Sequence, residues 1–388
     1  MRLTVFGRQY PALHSQRFIA PAVEMSRFHR MTGSKIAETR GKMKTPARQR
    51  ANRVEGADRF EECAKVLRGL TMLENGTKLI TALVCTRNRG TQITGTLTSI
   101  LACTHPQFEL IVVDQSENSE TEEAVAPFLS DPRLRYLRSR EQGLGRARNV
   151  GLAESRAEIV VMTDDDCEVP PYWLETMAAV FAENPTVAVA FCSVAPAAHD
   201  SQAGFIPAYQ RPGRRLLSGP LSKCKARGIG AGISVRRVMA LEMGGFDVLL
   251  GSGGQFPSCE DGDMAVRALL KGYGVYETDA VAVQHSGYRT WTEGKMLARR
   301  DWVAIGAAYS KPLKCGHWRF AVVPAYEFSR HALWPPLSDL LHGRKPRGLG
   351  RILAFVQGFV QGWKTPVDPK TLLFRLPKRA VEKAKTEH

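Results

Sequence analysis

Ile159-Val-Val-Met-Thr-Asp-Asp-Asp166 is a short apolar run that ends in three consecutive carboxylates. The run is too short and too evenly apolar for an amphipathic helix, and it fits a strand buried on both faces. Adjacent like charges at a strand end repel and raise one another's pKa unless a cation neutralises them, so a divalent ion is their natural partner. Oxygen ligands favour Mg²⁺ or Mn²⁺ over zinc. In open α/β sheets, ligands gather outside the carboxyl ends of the strands, which is where this cluster falls. A solvated acidic turn would give the same local pattern, so the surrounding chain has to decide.

On either side, short apolar runs alternate with amphipathic segments from about Lys78 onward. Leu79–Cys85, Leu110–Val113, Leu134–Leu137 and Val187–Phe191 read as further buried strands. Gln92–Cys103, Thr121–Leu129, Leu144–Glu154 and Pro171–Asn184 have helical length, and the last stops at Asn184-Pro185. This βαβ rhythm predicts a nucleotide-binding, Rossmann-like open mixed sheet with helices on both faces over 76–300, its first half at 76–192 and its second at 193–300. Residues 193–227 are rich in Pro, Gly and basic residues and read as a long loop or flap. A basic, mainly helical extension is expected over 301–388.

Several strand ends carry polar groups suited to one site. Thr86, Arg87 and Arg89 follow the first strand, and Asp114 ends the second, where it could bind a base or ribose or simply cap the next helix. Gly143-Leu-Gly-Arg-Ala-Arg-Asn-Val-Gly151 holds Arg148 and Asn149 in a basic-polar element suited to a diphosphate. Cys259-Glu-Asp-Gly-Asp263 follows a Gly-rich stretch and precedes a helix-like segment. Its acids either complement the helix dipole or supply a general base. His285 ends a β-like run, where a histidine can close a metal site built from carboxylates.

Taken in order, these motifs make residues 78–290 resemble the family 2 glycosyltransferases of the GT-A fold. The series is Thr-Arg-Asn-Arg at 86–89, Val-Val-Asp at 112–114, Ala-Arg-Asn-x-Gly at 147–151, the acidic triplet, Gly-Gly-Phe-Asp at 244–247, Glu260-Asp261, and Arg267 with Gly272. The resemblance implies that Asp114 holds the base and that Asp164 and Asp166 flank the donor diphosphate, with Asp166 on the metal. Asp165, Thr86, Arg87, Arg89, Arg148 and Asn149 would complete the nucleotide-sugar site. Asp261, with Glu260 beside it, would be the catalytic base of an inverting transfer from a UDP- or dTDP-type donor to a hydroxyl of a glycan, lipid-linked or small-molecule acceptor. Gly230-Ala-Gly232 stands where such enzymes often carry Gly-Ala-Asn, and the Gln-x-x-Arg-Trp signature of processive synthases is absent. A nucleotidyltransferase of similar fold would also need a strand-end acid, but not Glu260-Asp261. A non-catalytic scaffold would need neither.

Charge is segregated along the 388 residues. Residues 1–53 carry 12 Lys/Arg against 2 Asp/Glu and residues 311–388 carry 15 against 5, so the middle of this +16 chain is net acidic. Basic character therefore belongs to the ends, and no specific nucleic-acid partner is indicated for the ordered part. Residues 1–75 read as a basic, weakly ordered or transit-like extension. The eight cysteines lack CxxC or His/Cys spacing, which points to a reducing, cytoplasmic setting without a zinc site. No run is long and apolar enough for a transmembrane helix. Leu349, Ile352, Leu353, Val356, Phe359, Val360 and Trp363 do form a stripe at helical spacing, just after Arg344, Lys345, Arg347 and Arg351. Such a stripe either packs on the domain, the commoner outcome, or lies on an anionic membrane surface, which would make the protein peripheral at the inner face of the membrane.

Overall fold

A computed structural model of the chain describes residues 78–376. The expected N-terminal extension, 1–75, lies outside the described residues. The central feature is a nine-stranded mixed sheet. Its strands are β1 (Ile80–Thr86), β2 (Phe108–Asp114), β3 (Leu134–Arg138), β4 (Ile159–Asp164), β5 (Cys167–Glu168), β6 (Val187–Pro196), β8 (Arg215–Leu217), β9 (Ile233–Arg236) and β10 (Gly274–His285), while β7 (Gly204–Phe205) and β11 (Arg289–Thr290) form a separate ribbon. The strands lie in the order β3-β2-β1-β4-β9-β6-β10-β5, with β8 on β10. β3, β2, β1 and β4 are parallel, and β9 enters antiparallel between β4 and β6.

The four parallel strands are evenly apolar because both of their faces are covered. On one face Ile80, Ala82, Val84, Leu110 and Val112 meet Ile93, Leu97 and Ile100 of α1 (Ile93–Leu101). On the same face they meet Trp173, Leu174, Met177 and Phe181 of a helix over Trp173–Glu183. On the other, Leu83, Ile111, Val113, Val160 and Met162 meet Ala147 and Leu152 of a helix over Leu144–Glu154. Met264, Ala265, Ala268 and Leu269 of the Glu260–Leu270 helix complete that face. The period-two alternation along β1 assigns each residue to one of these cores. Each sequence-read strand and helix of this half is present within a few residues. The expected loop at 193–227 is partly regular instead: β6 runs on to Pro196, and β7, β8 and a 3₁₀ turn at Pro220–Cys224 interrupt it. Pairing with β10 carries β6 that far.

A 24-residue helix, Trp291–Lys314, spans position 300 without a break. A capping box starts it, with Thr290 Oγ1 accepting from Glu293 N and Glu293 Oε2 accepting from Thr290 N at 2.7 Å. Its buried face carries Trp302, Ile305, Tyr309 and Leu313, which pack with Leu249, Leu250, Phe256 and Val266 of the sheet domain and with Phe320, Val323, Phe355 and Phe374 further on. Two more helical stretches follow, Val322–Leu341 with a π turn at Phe328–Leu333, and Leu349–Lys364. Arg227 ties the first of them to the domain through a buried pair with Glu327 at 2.8 Å.

The Leu349–Lys364 helix packs on Trp291–Lys314 by the face opposite to most of its apolar stripe, of which Ile352 and Phe359 at one edge still pack partly on the core. Ala354, Phe355, Gly358 and Gly362 are buried, whereas Leu349, Leu353, Val356, Val360 and Trp363 are exposed. Small residues decide this: a Cβ on Gly358 would sit 1.9 Å from Val303 O, and one on Gly306 2.2 Å from Phe355 O. Neither contact can be relieved by rotating a side chain. Gly358→Val is therefore expected to push the two helices apart and destabilise the protein by about 2–4 kcal/mol, read as a lower midpoint in thermal unfolding and early proteolysis after residue 341.

Candidate active site

The strand register assembles the site. Thr86 stands beside Asp114 and Cys85 beside Asp164, so the ends of β1, β2 and β4 form a single row. A cavity of about 470 Å³ opens above that row. It is lined by Thr86, Arg87, Arg89, Arg148, Asp164, Asp165, Asp166, Glu260, Asp261 and His285, ten of the twelve residues read from the sequence.

The two others lie elsewhere. Asp114 is fully buried, and its carboxylate accepts from Tyr136 Oη at 2.6 Å and from Ser116 N at 2.8 Å. It is Gln115, the next residue, that faces the cavity, braced by Gly143 N at 3.1 Å. Asn149 points away from the cavity and grips the Gly-Gly-Phe-Asp turn, its Nδ2 donating to Phe246 O at 2.9 Å and its Oδ1 accepting from Phe246 N at 2.7 Å. Asp114 does end its strand and Asn149 does lie in the Leu144–Glu154 helix, but the partners of each side chain turn it away from the cavity.

The acidic triplet splits into three environments. Asp165 is buried and pairs with Arg89 Nε at 3.3 Å, and burial pushes its carboxyl up to about 6 against the pull of Arg89. Burial also raises the Asp164 carboxyl, opposed by Arg148 at 3.7 Å, although about a third of the side chain still faces the opening (36% exposed). Asp166 goes the other way: burial alone would raise it, but His285 and Arg89 outweigh that and hold it below the usual carboxylate range. His285 Nε2 stands 3.2 Å from Asp166 Oδ1. The other ring nitrogen, Nδ1, lies 2.7 Å from Pro207 O, and because a carbonyl can only accept, Nδ1 carries the proton. That Nδ1–H to carbonyl bond is the pattern of metal-binding histidines. It leaves Nε2 to donate to Asp166 when the ring is charged, a state that burial opposes but Asp166 favours on balance, or to offer its lone pair to a cation held between the two when the ring is neutral.

These residues fit a divalent cation. Ligand atoms of Asp166, Cys167 and His285 lie within 4.8 Å of one another. The Cys167 thiol is held protonated by burial, which leaves a carboxylate and an imidazole as the available donors. A Cβ on Gly287 would fall 2.7 Å from His285 Nε2 and 2.8 Å from Asp166 Oδ2, so the absence of a side chain there keeps the cradle open. Gly287→Val is expected to weaken Mn²⁺ binding by at least about tenfold, measured by calorimetry, with little change in thermal stability.

Glu260 and Asp261 line the same cavity and open the Glu260–Leu270 helix, where the helix dipole favours carboxylates. The preceding Cys259 is held at φ 71°, a left-handed conformation that is costly for a residue with a side chain and fixes the angle at which the two acids emerge. Glu260 is buried, accepts from Arg148 Nη1 at 3.0 Å, and has its carboxyl raised by desolvation and by the Asp261 charge. Asp261 is half-buried and accepts from Gly262 N at 2.6 Å. Arg148 thus stands between Asp164 and Glu260, its guanidinium over the Phe246 ring at 5.3 Å. Sequence reading missed Arg289, Leu297, Arg300 and Asp301, which line the cavity from β11 and the Trp291–Lys314 helix. The signal was available in the capping pattern Thr290-x-x-Glu293, which marks a helix starting at the site's edge.

Residues 81–231 match the sequence model of glycosyl transferase family 2. Those residues carry a glycosyltransferase family 2 domain. Among relatives, the chain is 26% identical over 191 residues to the glucosyl-dolichyl phosphate glucuronosyltransferase of Haloferax volcanii, covering 45% of this chain and 58% of that one. It is 39% identical over 117 residues to an uncharacterized protein of Sinorhizobium fredii, covering 29% of this chain and 13% of the relative. The chain therefore spans well under two thirds of the length of either. Among solved structures, Staphylococcus aureus TarS residues 1–349 align with a TM-score of 0.47 at 17% identity, covering 74% of this chain and 81% of that one. The mannosyltransferase of Pyrobaculum calidifontis in complex with GDP-Man and Mn²⁺ aligns at 0.44 and 18%, covering 80% and 81%. No helix of the described residues is long and apolar enough to cross a membrane.

Proposed function

We propose that the protein is an inverting glycosyltransferase that moves a sugar from a nucleotide-sugar donor, of UDP or dTDP type, to an acceptor hydroxyl. The observation that carries this reading is one cavity that brings together Asp164, Asp166, His285 and Asp261. Asp166 and His285, with Asp164 alongside, are the residues that would hold a Mg²⁺ or Mn²⁺ ion. Such a cation, when bound, neutralises charge on the donor's diphosphate.

The chain's own residues supply the rest. Thr86, Arg87 and Gln115 line the side of the cavity assigned to the nucleoside, where Asp114 acts by fixing the strand end. Arg89 and Arg289 add positive charge near the diphosphate. Asp261 takes the proton from the acceptor hydroxyl as its oxygen bonds to the anomeric carbon, and the bond from that carbon to the diphosphate oxygen breaks, releasing the nucleoside diphosphate. A single displacement inverts the anomeric centre. Glu260, held by Arg148, keeps the base in place. The name of the Haloferax volcanii relative adds a lipid-phosphate-linked sugar to the acceptor classes worth testing.

A thermal-shift and donor-hydrolysis screen of nucleotide sugars with Mn²⁺ or Mg²⁺ tests the proposal. One nucleotide class should raise the unfolding midpoint only when metal is present, and Asp166→Ala should weaken that metal-dependent binding by about tenfold to a hundredfold. Silence toward every nucleotide would sink the transferase reading.

A further inference from the structure

The helical stretches after residue 316 display apolar side chains that nothing among the described residues covers. On Leu349–Lys364, Leu349, Leu353, Val356, Val360 and Trp363 recur every three or four residues and are 40–75% exposed. The Val322–Leu341 stretch repeats the pattern with Val322, Tyr326, Leu333, Trp334, Leu337, Leu340 and Leu341, all at least 42% exposed. A stripe this regular is the apolar face of an amphipathic helix, and the glycine-mediated packing described above turns it outward.

Charge says what covers it. Residues 316–364 contain seven Lys/Arg and two acids, Glu327 and Asp339. Both acids are buried, the first paired with Arg227 and the second with Arg347. Arg319, Arg330, Arg344, Lys345 and Lys364 are exposed, so this surface presents apolar groups and cations with no carboxylate among them. A second copy of the chain docked face to face would set cations against cations. An anionic bilayer matches both properties, since its headgroups take the Lys/Arg and its acyl boundary takes the Leu and Val side chains. Trp334 and Trp363 suit the interface between them.

We propose that the two helical stretches dock this protein on an anionic lipid surface, lying flat in the interface and not crossing it. This goes beyond the transfer reaction and does not rest on it. The full chain should co-sediment with vesicles of phosphatidylcholine mixed with phosphatidylglycerol, and at least about tenfold more weakly with pure phosphatidylcholine or in high salt. Leu353→Asp with Val356→Asp should abolish sedimentation, while Arg344→Glu with Lys345→Glu should lower it at least about tenfold on the mixed vesicles only. These side chains are solvent-exposed, so unchanged thermal unfolding separates lost docking from lost folding. Equal, negligible sedimentation of the wild type with both vesicles overturns the proposal. So does a concentration-dependent dimer that the Leu353/Val356 variant dissolves, because the surface would then be a protein interface.

Discussion

Asp261→Asn is expected to lower turnover by roughly 10²- to 10⁴-fold while leaving the donor KM within about threefold. The asymmetry follows from where Asp261 sits. It opens the Glu260–Leu270 helix and lines the same cavity as the acidic row, where it accepts from the neighbouring Gly262 N. The amide keeps that acceptor and the side chain's volume, so the protein's packing is undisturbed, yet it cannot take a proton. Glu260 does not substitute for it, because Glu260 is buried and engaged by Arg148. Steady-state kinetics with the donor identified in the screen decide the matter. Near-normal kcat in Asp261→Asn would remove the base assignment, and a large rise in donor KM with kcat unchanged would move the residue to the donor side.

Lys311→Met is expected to destabilise the protein by about 3–5 kcal/mol, about 10 °C in unfolding midpoint. Lys311 comes from the Trp291–Lys314 helix and is fully buried, with Nζ 2.6 Å from Asp247 and 2.7 Å from Asp263. Asp247 also accepts from Phe374 N at 2.9 Å, and Asp263 pairs with the buried Arg267 at 2.8 Å. One ammonium therefore joins the Gly-Gly-Phe-Asp turn, the helix that carries Asp261 and the end of the described chain. Methionine fills the space but strands two carboxylates among fewer positive charges. Adding Asp247→Asn should recover a good part of the loss by removing one uncompensated charge. An unchanged midpoint in the single variant would show that the network is not held together by this charge.

The parallel half of the sheet was legible because burial on both faces leaves strands of a length and composition that helices do not share. The row of acids was legible for a related reason: a charge ending an apolar strand has few places to go. Asp114 and Asn149 were harder. Their positions along the chain were right, but which neighbour captures a carboxylate or an amide depends on residues far away, Tyr136 for one and Phe246 for the other. The C-terminal helix shows the limit most clearly. Helical spacing identified Leu349, Ile352, Leu353, Val356, Phe359, Val360 and Trp363 as one face, yet periodicity does not say which side of the helix finds a partner: Ile352 and Phe359, at the edge of that face, pack on the core, and the other five are exposed. Gly306 and Gly358, distant in sequence and meaningful only as a pair, made the choice.

The antiparallel insertion of β9 governs how the chain is made as well as how it stands. Val235 and Ser234 hydrogen-bond into the sheet between β4 on one side and β6 on the other, so neither strand has its inner neighbour until residues 233–236 arrive. On a ribosome, both strands are synthesised long before that, with the whole excursion of residues 197–232 still to come. During that interval β4 has an open inner edge, and β6, whose other neighbour β10 comes later still, has neither of its sheet partners. The sheet's closure is a late, long-range event, and any product terminated between β6 and β9 is left as a template for aggregation.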